Sequence, residues 1–118
     1  MSYTSDGLPR PNIEAAMGVL AVAGIAPTTP IPTSIGLSAR VSVLNTLGLA
    51  VVAAGGTMTP ISQWAAYDNS SMCQNINAIS AELNTMGATP PLPIYTSIDY
   101  NAFTSIVNNI VTTMDGMT

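Results

Sequence analysis

The segment DYNAFTSIVNNIVTTM, residues 99–114, carries the clearest helical periodicity in the chain. Phe103, Ile106, Val107, Ile110, Val111 and Met114 recur at three- and four-residue steps, opposite Asn101, Asn108, Asn109 and Thr112, which is the pattern of a helix with one apolar face. Asp99 stands where a carboxylate can accept from the first N–H groups of that helix and complement its dipole. The spacing predicts a helix from Asp99 or Tyr100 to about Met114. Such a helix needs another apolar face to lie against.

That face is offered upstream. Thr59 followed by Pro60 is a start signal, a capping side chain before a residue whose fixed φ suits the first turn, and it predicts a helix through Met86 that stops at Gly87. Ile61, Ala65, Met72, Ile76, Ile79, Leu83 and Met86 form a stripe that Asp68 interrupts. Asp68-Asn69-Ser70-Ser71 can divide the helix by supplying side-chain oxygens as a new cap, and a cap suits Asp68 better than a costly inward carboxylate. The candidate interaction residues form a packing seam of Ile61, Trp64, Met72, Ile76, Ile79 and Leu83 with Phe103, Ile106 and Ile110. The facing helices belong either to one chain or to neighbours.

Two further helices are expected nearer the start. Asn12 can cap a helix over residues 13–26, with Pro27 as its stop, and its body from Ala15 to Ala26 has no polar side chain. A helix that is apolar all round is expected to be buried all round. Ser38 can cap the next, to Ala54, with Gly55-Gly56 as the stop. It too is apolar on most faces, with Val41, Leu44, Leu47 and Val51 on one side and Val43, Leu49, Ala50 and Ala54 on others. Residues 27–36 and 88–98 hold Pro27, Pro30, Pro32, Pro90, Pro91 and Pro93, which disfavour helix and predict extended straps. Residues 1–11, with Gly7, Pro9 and Pro11, read as an extended arm.

The fold class expected is therefore all-α. About four helices, two apolar all round and two amphipathic, are joined by extended Pro-rich straps and ordered within a larger assembly. Residues 12–118 form one small helical domain behind the arm, and the arm and straps are expected to lie against other subunits.

Composition narrows the function. Charged residues make up 7% of the 118 and apolar residues 47%, and mean hydropathy is +0.41. A free protein surface usually keeps about a quarter of its residues charged, so this one is expected to be covered by partners. Arg10 and Arg40 are the only basic side chains. Nucleic-acid affinity is dominated by cations neutralising phosphates, so direct or sequence-specific binding of DNA or RNA by one subunit is not expected. Without His or Lys, Ser-His and Ser-Lys nucleophilic arrangements and His-containing zinc sites cannot be built from one chain. Gly55-Gly56 lacks the residues of a phosphate-binding loop and reads as a helix stop. Cys73, the single cysteine, reads as a small buried side chain.

No catalytic, cofactor-binding or metal-binding residue is expected. The first expectation is a non-enzymatic structural subunit of a large symmetric protein assembly, contacting other protein subunits. Within that class it is a minor virion protein of a tailed-phage head, head-to-tail or DNA-ejection apparatus. Its alternative is a membrane-embedded or membrane-active helical hairpin made of residues 13–26 and 39–54. A small soluble oligomeric binding module is the second alternative.

Overall fold

Asn12 caps the first helix, α1 (Ile13–Val22), its side-chain oxygen accepting from the Ala15 N–H at 3.3 Å. In the computed structural model, which describes residues 2–3, 9–56 and 69–118, α1 ends sooner than its apolar run does. The stop is Gly24 and not Pro27. Gly24 takes φ +79°, a left-handed conformation that glycine adopts without a Cβ clash. The turn lets Gly24 N–H donate to Ala21 O at 3.0 Å and Ile25 N–H donate to Leu20 O at 2.9 Å, which satisfies carbonyls the helix end would otherwise leave open. Ile25 and Leu20, at the two ends of the second bond, are both buried.

The same device closes α2 (Leu37–Ala53) at Gly55 and α3 (Asn69–Thr85) at Gly87. At its start α2 has Gly36 at the capping position with no side-chain bond, so Ser38 lies inside the first turn and is not the cap. The Thr59-Pro60 start signal, Ile61, Trp64 and Asp68 lie outside the described residues. The last helix, α4 (Phe103–Asp115), follows a 3-10 turn at Tyr100–Ala102, where Asp99 accepts from the Asn101 N–H at 3.3 Å as its position predicts.

Helix directions follow from three contacts. Asn12 N–H donates to Ala54 O at 2.8 Å, so α1 begins where α2 ends and the two are antiparallel. Gly56, just past α2, lies against Met86, just past α3, and the ends of α3 and α4 share a cleft with the start of α1. Consequently α2, α3 and α4 all run the same way. The core between them takes Ala16 and Leu20 from α1, Leu44, Leu47 and Val51 from α2, Met72, Ile76, Ile79 and Leu83 from α3, and Phe103, Val107, Ile110 and Met114 from α4. Arg40 joins the start of α2 to that of α4, its guanidinium 4.1 Å above the Tyr100 ring and 5.7 Å from the Phe103 ring.

Gly56 is a close-packed position. A Cβ there would sit 2.8 Å from Val51 Cγ1 and 2.9 Å from both the Val51 carbonyl oxygen and Met86 Cε. Backbone cannot yield as a side-chain tip can, so Gly56→Ala is expected to cost about 1–3 kcal/mol in chemical denaturation. A change below about 0.5 kcal/mol would mean that Gly56 is not held against the Val51 carbonyl as described.

Within the one chain, the helices that are apolar all round in sequence are not buried all round: α1 buries Ile13, Ala16 and Leu20 but leaves Gly18, Ala21 and Val22 exposed, and α2 exposes Leu37, Leu49 and Val52. A small bundle has an inside for one stripe of each helix and no more. The straps, in turn, are fixed by the chain's own helices. Three asparagine side chains each grip one strap residue at both of its peptide groups, donating to its carbonyl and accepting from its N–H. Asn77 holds Tyr95 at 2.7 and 2.9 Å, Asn84 holds Leu92 at 2.9 and 2.6 Å, and Asn108 holds Ile31 at 3.2 and 2.9 Å.

The second strap therefore runs back along α3, antiparallel to it. Asn77 and Asn84 are two helical turns apart, about 10 Å at 1.5 Å per residue. Tyr95 and Leu92 are one extended three-residue step apart, also on the order of 10 Å at 3.1 Å per residue. The two spacings match, and two such three-residue steps separate Leu92 from Ile98, both of which are in the core. In the first strap, Ala26 and Thr29 close a tight turn before Ile31 reaches Asn108. Within the arm, β1 (Ser2–Tyr3) pairs antiparallel with β2 (Pro9–Arg10), a pairing that the reading of an extended arm does not include.

Candidate functional site

The packing seam is placed mostly inside the chain. Met72, Ile76, Ile79, Leu83, Phe103 and Ile110 are all buried in its own core, and Ile106 is half-buried at the edge of that core. Ile61 and Trp64 lie outside the described residues. The buried members of the seam are thus engaged within the chain, and the exposed surface among the described residues is carried by other side chains.

The outside carries an unusual set of side chains. Val22 at the end of α1 is 92% exposed, Leu49 on α2 is 52% exposed, and Ile94 on the second strap is 57% exposed. Leu49 and Val52, three residues apart on α2, are neighbours on one face. The remainder of that face is Ser38, Ser42 and the half-buried Asn45. Glu14, Asp99 and Asp115 are exposed but sit on different elements, and Arg40 is half-buried against aromatic rings. Around the apolar positions there is little charge.

Among the clefts on this surface, two are lined by described residues of several elements. One, of about 190 Å³, lies where the start of α1 meets the ends of α3 and α4, and Ile13, Met86 and Met117 are among its walls. None of its described lining side chains is ionisable. The other, of about 340 Å³, lies between α3 and the second strap and is lined by Ser70, Cys73, Gln74, Asn77, Thr96 and Ser97. Cys73 is buried; its thiol donates to the Tyr95 carbonyl at 3.4 Å and accepts from the Asn77 side chain at 3.5 Å, which ties it into the strap attachment. Among the described lining residues of this cleft, none carries a charged side chain. Among the described residues, no group of three or more His, Cys, Asp or Glu side chains could hold a metal ion.

The asparagine attachments are what a reading of periodicity misses. Asn108 belongs to the polar face of α4 by sequence, yet its amide is spent on Ile31. A signal was present for α3: two asparagines seven residues apart, followed by a Pro-rich stretch whose length allows it to fold back over them. No described helix is long and apolar enough to cross a membrane. Comparison with protein-family models, curated proteins and solved structures finds no match to this chain.

Proposed function

We propose that the chain is a non-enzymatic structural subunit of a large symmetric protein assembly, and within that class a minor component of a virus particle of the tailed-phage type. The observation that carries the first part is the exposed aliphatic set, Val22, Leu49, Val52 and Ile94, on a surface with few charges. Leu49 and Val52 adjoin on one face of α2, and adjoining exposed apolar side chains favour burial against another protein. Placement in a virion rests on general likeness alone: short, charge-poor helical chains with extended connectors suit crowded shells and tubes.

The bilayer alternative loses support from helix length. The ten residues of α1 span about 15 Å at 1.5 Å per residue, roughly half of a hydrocarbon core, and α2 also falls short.

Sedimentation of the purified chain tests the proposal. The expected result is a large species without detergent that persists at 1 M NaCl, because screening to about 3 Å removes electrostatic contacts while leaving apolar burial intact. Leu49→Ser combined with Val52→Ser should release a folded small species, since neither side chain is part of the core. Its unfolding free energy should stay within about 0.5 kcal/mol of the parent, as for other surface substitutions. A wild-type chain that sediments as a monomer at every concentration, or assembly unchanged by the double substitution, would remove the basis for the proposal.

A further inference from the structure

We draw no further inference here: the strongest candidate, the exposed face of α2 that carries Leu49 and Val52, is the surface on which the assembly proposal already stands, and nothing in the structure shows what covers it.

Discussion

Phe103→Ala should lower the unfolding free energy by about 3–5 kcal/mol, the usual cost of removing a large ring from a packed interior. Phe103 has no exposed surface, opens α4 and lies beneath the Arg40 guanidinium, so its loss leaves a void and thins the contact between the starts of α2 and α4. Small domains have only about 5–15 kcal/mol in total, and the variant is expected to be partly unfolded at 37 °C. Urea denaturation gives the value. Ile110→Ala, with 1% exposure, should cost about 2–5 kcal/mol, whereas the half-buried Ile106 should cost less on truncation. Equal losses at Ile106 and Ile110 would mean that α4 is rotated from the orientation described.

The second large effect is expected from removing the strap attachments together. Asn77→Ala and Asn84→Ala each delete two hydrogen bonds to strap backbone and leave its groups half-buried, at about 1–3 kcal/mol per site. The double substitution should not be additive, because a strap freed at one point gains freedom that already weakens the other. Hydrogen exchange provides the local readout. Amides of Leu92 and Tyr95 should exchange much faster in the double variant while those of α1 and α2 keep their protection. Unchanged exchange at Leu92 and Tyr95 would show that the burial of Leu92 and Ile98 suffices to hold the strap.

The elements that sequence discloses here are those set by local rules. The apolar face of α4, the Asn12 cap, the Asp99 cap and the stops at Gly55 and Gly87 all depend on residues within a few positions of one another. Where two local signals compete, the nearer one wins: Gly24 ends α1 before Pro27 can. Burial is a different matter, since the run Ala15 to Ala26 is apolar on every face and its periodicity cannot select which face turns inward. The straps are harder still. Their prolines announce extended chain but not what holds it, because the partners are Asn77, Asn84 and Asn108, polar residues that look solvent-facing in a helical projection. Of the seam, the apolar stripes of α3 and α4 are legible as packing surfaces, but whether they pack at home or abroad is settled by topology. The cleft by Cys73 is lined by residues of α3 and of the strap that are far apart in sequence, and it has no local signature at all.

The Ile31 to Asn108 attachment links positions 77 residues apart in the chain. An up-and-down bundle gains its contacts between successive helices and so folds quickly, but here α2, α3 and α4 point one way and the closing contact joins the first strap to the last helix. Loop-closure entropy must be met before such a contact contributes, which slows the search for the native state relative to other helical chains of this size. During synthesis the consequence is sharper. The ribosome releases α1, the first strap and α2 well before α4 exists, so Ile31 has no partner and the inner faces of α1 and α2 have part of their cover missing until the final residues emerge. The nascent chain passes through an interval in which its stickiest surfaces are open. A ribosome stalled shortly before Asn108 should yield a chain that proteases cut within residues 27–36, and release past Met114 should close that site.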